Sequence, residues 1–129
     1  METLDISTSK REELIDITDK VRSVVKGVDD GIVFLYVPHT TAGLACNENA
    51  DPSVKDDMMK KMNQLIPEND NYKHAEGNSD SHLKASIFGG GSFFIISGGK
   101  LVLGRWQGIY FAEFDGPRKR KLHCSIIKS

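Results

Sequence analysis

The chain has 129 residues, of which 39% are hydrophobic and 27% are charged, and its formal net charge is −1. This length and composition are typical of one globular domain, spanning residues 1–129. The balanced charge gives no electrostatic basis for binding nucleic acid or an anionic membrane surface, so we expect neither partner.

The first part of the chain predicts three strands and one helix. Alternating patterns indicate strands at residues 3–7 and 13–17. Thr18 is expected to cap a short helix over residues 19–26. The continuous apolar run at residues 32–37 predicts a buried central strand that ends before Pro38.

The middle of the chain predicts a strand at residues 42–46 and then a helix. Asp51 is the expected N-cap of that helix, with Pro52 at the first helical position and an apolar face that continues to residue 66. Residues 67–81 show no apolar period, and a loop of this length in a compact domain is usually functional or disordered. A short helix is expected over residues 82–87.

The last part of the chain predicts a hairpin and two further strands. Residues 92–97 and 101–103 are expected to pair across Gly98-Gly99, and residues 109–114 and 122–127 to form the last strands. Strands therefore dominate, with about three short helices inserted. The predicted class is α+β, a single domain with a mostly antiparallel sheet arranged like a β-sandwich.

The segment over residues 74–82 has the residue types of a reactive site. It contains His74, Glu76, Asn78, Asp80 and His82, none of which is suited to a hydrophobic core. Histidine titrates near neutral pH and is the commonest metal ligand. The segment therefore favours metal binding or acid–base chemistry, although a solvated surface loop is the alternative.

A third histidine, His39, lies where the predicted central strand ends, and Thr40 and Thr41 follow it. Reactive groups are often placed where a rigid strand leads into a loop. This segment could bind a metal or an anion. The alternative is a histidine that is held by backbone groups and has no ligand.

Together the histidines suggest a catalytic metal. If the fold brings His39, His74 and His82 together, they provide three ligands with an open fourth position, as in catalytic zinc sites. Glu76 would then be the general base acting on a metal-bound water. Magnesium is the other divalent metal ion that the sequence supports, because it prefers carboxylate and water ligands. The carboxylates available to it are Glu48, Asp51, Glu76 and Asp80.

Other segments supply candidate ligands for a phosphorylated small molecule. Asn47, Glu48 and Asn49 precede a helix N-terminus, where free backbone N–H groups attract anions. Gln107 lies in an otherwise apolar context and requires a hydrogen-bond partner. Arg118 and Arg120 could clamp a phosphate through their guanidinium groups, or could be solvated.

Five motifs in this order resemble the YjbQ-like family, whose members are described as secondary thiamine-phosphate synthases. They are Pro38-His39-Thr40-Thr41-Ala42-Gly43-Leu44, Asn47-Glu48-Asn49-Ala50-Asp51-Pro52, His74-x-Glu76-Gly77-Asn78-x-Asp80-x-His82-Leu83-Lys84, Leu103-Gly104-x-Trp106-Gln107 and Glu113-x-Asp115-Gly116-Pro117-Arg118. The resemblance covers nearly the whole chain. Arg105 departs from the family pattern, in which a small residue is expected.

The resemblance implies a sandwich-like α+β fold and a homotrimer with a pocket near the subunit boundary. The pocket residues that it implies are His39, Glu48, His74, Glu76, Asn78 and His82. It also implies a reaction that joins a pyrimidine diphosphate to a thiazole phosphate and releases pyrophosphate, either as the main reaction or as a side activity.

Three functions therefore remain as expectations: this transferase, a zinc-dependent hydrolase, and a trimeric protein that binds a metal or an anion without turnover.

Cys46 and Cys124 form no paired motif, and the sequence shows neither a signal-peptide pattern nor an apolar run long enough to span a membrane. We expect a cytoplasmic protein.

Overall fold

A computed structural model describes residues 1–129 and contains eight strands and three helices. The predicted order of elements is confirmed, with the ends of most elements shifted by a few residues. The elements are β1 (Glu2–Ser7), β2 (Glu13–Asp16), α1 (Thr18–Val24), β3 (Gly31–Tyr36), β4 (Ala42–Glu48), α2 (Pro52–Leu65), α3 (Ser79–Phe88), β5 (Gly91–Ser97), β6 (Lys100–Leu101), β7 (Gln107–Glu113) and β8 (Lys119–Lys128).

The strands form two antiparallel sheets, which confirms the predicted α+β class. The larger sheet has the order β1-β8-β3-β5-β6, and the smaller has the order β2-β7-β4. The predicted hairpin across Gly98-Gly99 is present, with Ser97 opposite Lys100. Fifteen buried residues, contributed by both sheets, α1 and the segments next to them, form the main core.

The apolar strand β3 lies in the centre of the larger sheet, between β8 and β5, as predicted. Only one of its faces is buried, however. Val33 and Leu35 are fully buried, whereas Ile32, Phe34 and Tyr36 on the other face are 38%, 43% and 50% exposed. A continuous apolar run therefore did not mean burial on both faces, because successive side chains of a strand point to opposite sides of the sheet.

The helix ends follow local hydrogen bonds. Asp51 caps α2 as predicted, and its side chain accepts a hydrogen bond from Ser53 N at 2.9 Å. The predicted capping role of Thr18 is wrong, because Thr18 lies inside α1 and its hydroxyl accepts from Ile109 N at 2.9 Å. This contact ties α1 to β7.

None of the three helices combines the length and the apolar character that crossing a lipid bilayer requires.

Helix α3 is anchored by a buried ion network around Lys84. The Lys84 ammonium is completely buried and donates to Asp80 at 2.8 Å, Glu12 at 3.0 Å and Asn63 at 2.6 Å. Arg11 donates to the same Asp80 carboxylate at 3.0 Å. All three ammonium protons are thus bonded, which is the condition under which a buried charge is tolerated.

The close approach of α3 to β4 requires glycine at position 43. A Cβ added to Gly43 would lie 2.8 Å from Gly89 O and 3.2 Å from Phe88 Cβ. We expect Gly43→Ala to destabilise the protein by about 1–3 kcal/mol, because backbone atoms would have to move. Equilibrium unfolding in urea measures this change. Gly90→Ala is the control, since its nearest contact would be an ordinary 3.5 Å, and an equal loss in both variants would contradict the explanation.

Candidate functional site

A polar cavity of about 470 Å³ lies between three segments that are far apart in the sequence. These are the segment after β3, the segment that leads into α3 together with the start of that helix, and the connection from β7 to β8 together with the start of β8. Ten of the eleven lining residues carry polar or charged side chains. The lining residues are Pro38, His39, Thr40, Thr41, His74, Glu76, Asn78, His82, Asp115, Arg118 and Arg120.

His39 is held by a backbone group on one side. Its Nε2 accepts a hydrogen bond from Lys121 N at 2.8 Å. A ring nitrogen that accepts cannot carry the proton, so this contact fixes the neutral tautomer with its proton on Nδ1. Burial and the nearby Arg120 cation lower the pKa of His39. His39 therefore presents a neutral N–H donor rather than a cation.

Arg120 connects the two sheets at the edge of the cavity. Its Nε donates to both carboxylate oxygens of Glu113, at 2.9 Å and 3.1 Å, and its Nη2 donates to Thr41 Oγ1 at 2.8 Å. Thr8 Oγ1 also donates to Glu113, at 2.7 Å. No protein group accepts from Arg120 Nη1, and Arg120 lines the cavity. This atom therefore keeps N–H donors that no protein group uses.

Asn78, Asp115 and Arg118 form a second polar group on the cavity wall. Asp115 Oδ2 accepts from Asn78 Nδ2 at 2.9 Å and from Arg118 Nη2 at 3.0 Å. Asn78 Oδ1 is the one buried side-chain polar atom of the protein that has no hydrogen-bond partner. Buried acceptors are rarely left unpaired, so this oxygen is an exception among the buried polar groups of the protein.

His74, His82 and Glu76 are close together on the remaining wall. The rings of His74 and His82 meet edge-on with centroids 5.5 Å apart. His74 Nε2 lies 3.8 Å from Glu76 Oε2, which is longer than a hydrogen bond. The Glu76 side chain is 74% exposed, so it can move toward a bound molecule.

The predicted three-histidine metal site is not assembled within one chain. No group of three or more His, Cys, Asp or Glu side chains is placed to hold a metal ion. One reason is that Lys121 N occupies Nε2 of His39. Three of the four carboxylates suggested for magnesium also lie elsewhere, since Glu48 ends β4, Asp51 caps α2 and Asp80 is paired with Lys84.

Four predicted ligand residues lie outside the cavity, at the far end of β4 and the start of β7. Glu48 is opposite Gln107 in the register of these strands. From Ala42 to Glu48, the six residue steps of an extended strand span about 20 Å. Asn49 donates to Asp16 at 3.1 Å, and the side chain of Gln107 accepts from Gly104 N at 2.7 Å. Asn47 accepts from the backbone N–H of Glu48.

The structure gives roles to two residues that the sequence named only within the fifth motif. Asp115 lines the cavity. Glu113 orients Arg120 from behind the cavity wall. Two sequence signals pointed to Glu113: its place in the fifth motif, and its position as a carboxylate at the end of an apolar strand, where a buried charge requires a partner.

Comparisons with known proteins all match this chain to the same family over nearly its whole length. Residues 2–129 match the family model described as UPF0047 protein YjbQ-like. A UPF0047 protein of Methanocaldococcus jannaschii is 56% identical, with 95% of this chain and 90% of that protein covered. UPF0047 protein YugU of Bacillus subtilis is 45% identical, with 98% of each covered. The crystal structure of an uncharacterised YjbQ/UPF0047 protein from Clostridium acetobutylicum superposes with a TM-score of 0.96 at 48% identity, covering 98% of this chain and all of that one.

The environment of His39 generates a pH-dependent prediction. We expect His39 to titrate below its ordinary value of 6.5 and to carry its proton on Nδ1, as measured by long-range ¹H–¹⁵N NMR correlations. The folded state binds the second, titrating proton of His39 more weakly than the unfolded state does. The stability that His39 contributes is therefore present above about pH 6.5 and is lost as the pH falls through the lowered folded pKa.

Unfolding titrations at several pH values test this dependence. His39→Gln should remove that part of the pH dependence, because an amide does not titrate. A protonated Nε2 at neutral pH would contradict the assignment of the Lys121 contact.

Proposed function

The chain belongs to the YjbQ-like (UPF0047) family, and on that premise we propose that its polar cavity binds a small phosphorylated molecule and catalyses group transfer. The proposed reaction joins a pyrimidine diphosphate to a thiazole phosphate and gives thiamine phosphate, as the main reaction or as a side activity. One observation carries the proposal. Three imidazoles and two guanidinium groups, from segments distant in sequence, line one cavity whose walls are almost entirely polar. They belong to His39, His74, His82, Arg118 and Arg120.

The proposed step needs a leaving group to be stabilised. The bond between the pyrimidine methylene carbon and the diphosphate oxygen breaks, and its electron pair leaves on that oxygen. The lone pair of the thiazole nitrogen forms the new C–N bond. The charge that develops on the pyrophosphate is where guanidinium N–H donors and an imidazolium proton act most strongly.

The residues of the cavity divide these tasks. Arg120 Nη1 and the partly exposed Arg118 contact phosphate oxygens, and the hydroxyls of Thr40 and Thr41 border the same space. His82, when protonated, donates its proton to the leaving oxygen. Asn78 holds the Asp115 carboxylate, which in turn positions Arg118.

The divalent metal ion is a separate proposal, since the protein ligands are not assembled in one chain. A magnesium ion that enters with a pyrophosphate takes most of its ligands from phosphate and water, so it requires few protein groups. None of the roles assigned above depends on it. A zinc-dependent hydrolase with Glu76 as general base is the second candidate function, because Glu76 lines the same cavity as His39, His74 and His82.

We further propose that the chain works as a cytoplasmic homotrimer. The outer face of the larger sheet carries a continuous apolar surface whose side chains are between 38% and 67% exposed. Its residues are Ile32, Phe34, Phe93, Ile95 and Ile127. A contiguous apolar surface of this kind is typical of an interface between copies. The free thiols of Cys46 and Cys124 suit a reducing compartment.

The reaction is tested by supplying the two phosphorylated precursors and measuring thiamine phosphate and pyrophosphate. We expect product in the presence of magnesium and a decrease in kcat of about 10²–10⁴-fold for His82→Ala, because a general acid is lost. Leu83→Ala is the control, since Leu83 is an exposed neighbour on α3 that does not line the cavity.

Other outcomes identify the competing functions. Release of inorganic phosphate without thiamine phosphate, abolished by Glu76→Gln, would replace the transferase with the hydrolase. Bound zinc that is lost in His82→Ala would support a zinc-dependent site. Binding of pyrophosphate without any turnover would leave a non-catalytic anion-binding protein.

Assembly is tested by analytical ultracentrifugation. We expect a species of about three times the chain mass of 14.3 kDa. Phe34→Lys should dissociate it, because a charge would be buried at the apolar interface without a partner. Lys20→Glu, an exposed change on α1, is the control. A monomer for the wild type at micromolar concentration would contradict the proposal.

A further inference from the structure

Residues 51–77 are attached only weakly to the rest of the chain. They comprise α2, its cap and the segment that carries His74 and Glu76. No residue in this range is buried, and none of its backbone groups is hydrogen-bonded to a residue outside it. Its apolar contact comes from α2, where the partly buried Met58 and Met59 pack against a small cluster formed by the smaller sheet and α3.

The two ends of this range, in contrast, are fixed. Just before it, the side chain of Asn49 donates to Asp16 at 3.1 Å. Just after it, the side chain of Asn78 donates to Asp115 at 2.9 Å. Gly77, next to the second anchor, has a φ of +79°, which glycine adopts without the cost that other residues incur. The range therefore lies between two anchored points, one of them preceded by a glycine.

Two side chains of the range bond to the rest of the chain, and both reach the same ion network. Asn63 on α2 accepts a hydrogen bond from the Lys84 ammonium at 2.6 Å. Glu68 lies 3.6 Å from the Arg11 guanidinium. Lys84 and Arg11 in turn both bind the Asp80 carboxylate.

These two contacts can break without leaving a buried charge unpaired. Lys84 and Arg11 keep their bonds to Asp80 at 2.8 Å and 3.0 Å. Asn63 is a neutral amide, and the side chain of Glu68 is already 53% exposed to water. One hydrogen bond and one exposed ion pair are contacts of modest strength, so the attachment is reversible.

We propose that residues 51–77 form a lid over the polar cavity, which opens as one unit and is latched by Asn63 and Glu68. In the closed state His74 and Glu76 line the cavity, and the ring of His74 meets that of His82. Opening withdraws this wall. The latch is independent of the proposed reaction, whereas the response of the lid to a ligand rests on the proposed function.

Linkage gives this lid a measurable signature. No residue of α2 lines the cavity. A ligand that binds His74 in the closed state must nevertheless stabilise the closed position of α2, because coupling between two sites is reciprocal. Inorganic pyrophosphate, which matches the cations of the cavity, is the probe.

The experiment is hydrogen–deuterium exchange of the full chain, followed by mass spectrometry with and without pyrophosphate. We expect the amides of α2 to exchange at least about tenfold faster than those of β3 and β7, because local opening requires less free energy than global unfolding. Saturating pyrophosphate should slow the exchange of α2.

Variants of the latch test whether the range moves as one unit. Asn63→Ala should accelerate exchange about tenfold in both α2 and residues 67–77, because a hydrogen bond to a charged group is lost. Alanine forms helix better than asparagine, so a weaker helix is not the cause. Glu68→Gln should accelerate both parts about twofold. Gln64→Ala is the control, since Gln64 is an exposed amide on the same helix and bonds to no other residue.

Each outcome decides for or against the lid. Acceleration in α2 without residues 67–77, or equal acceleration in β3 and β7 or in Gln64→Ala, would overturn it. Pyrophosphate that binds in calorimetry without slowing the exchange of α2 would also overturn it. If pyrophosphate does not bind but the latch variants behave as expected, the lid stands and the proposed function is overturned.

Discussion

The ion pair between Glu113 and Arg120 is the contact on which the cavity depends. Glu113 ends β7 in the smaller sheet, and Arg120 lies near the start of β8 in the larger sheet, so the pair fixes how the two sheets meet. Both side chains are almost completely buried. Burying two charges costs several kcal/mol for each ion, and this cost is offset only when further hydrogen bonds complete the geometry. Thr8 and Thr41 provide these bonds, and the second also holds the segment that carries His39.

A second buried ion network fixes the position of the opposite wall of the cavity. Lys84 and Arg11 bind the Asp80 carboxylate, and although burial alone would raise the pKa of Asp80, their hydrogen bonds lower it. Asp80 and Lys84 lie two residues before and two residues after His82. The bonds that anchor α3 therefore also set which side of the helix faces the cavity. The cavity lies between two ion networks. One joins the two sheets, and the other joins helix α3 to the segments on which it packs.

Local patterns in the sequence predicted most of the secondary structure, because caps, periodicity and turn residues act over a few positions. Asp51 and the hairpin at Gly98-Gly99 are examples. Contacts between distant segments were not predictable in the same way. The Lys121 N–H that occupies His39 comes from 82 positions away. Asn47 to Asn49 follow His39 closely in sequence, yet an extended strand separates them from the cavity. Lys84 and Asp80 have the spacing of an ordinary surface pair on a helix, and only the fold buries them.

The two walls of the cavity also differ in how much conformational entropy is lost when a ligand binds. His39 and His82 are attached to strands and to an anchored helix, whereas His74 and Glu76 lie on the segment between α2 and α3. Most hydrogen bonds of that segment are made to other residues of the same segment, such as the one from the Tyr72 hydroxyl to the carbonyl of Pro67. The side chains of His74 and Glu76 are exposed. A ligand that closes this segment must remove the conformational entropy of its side chains, at about 0.5–1.5 kcal/mol each. Part of the contact energy would therefore offset this entropy cost, so a ligand held by this wall binds less tightly than its contacts alone would suggest.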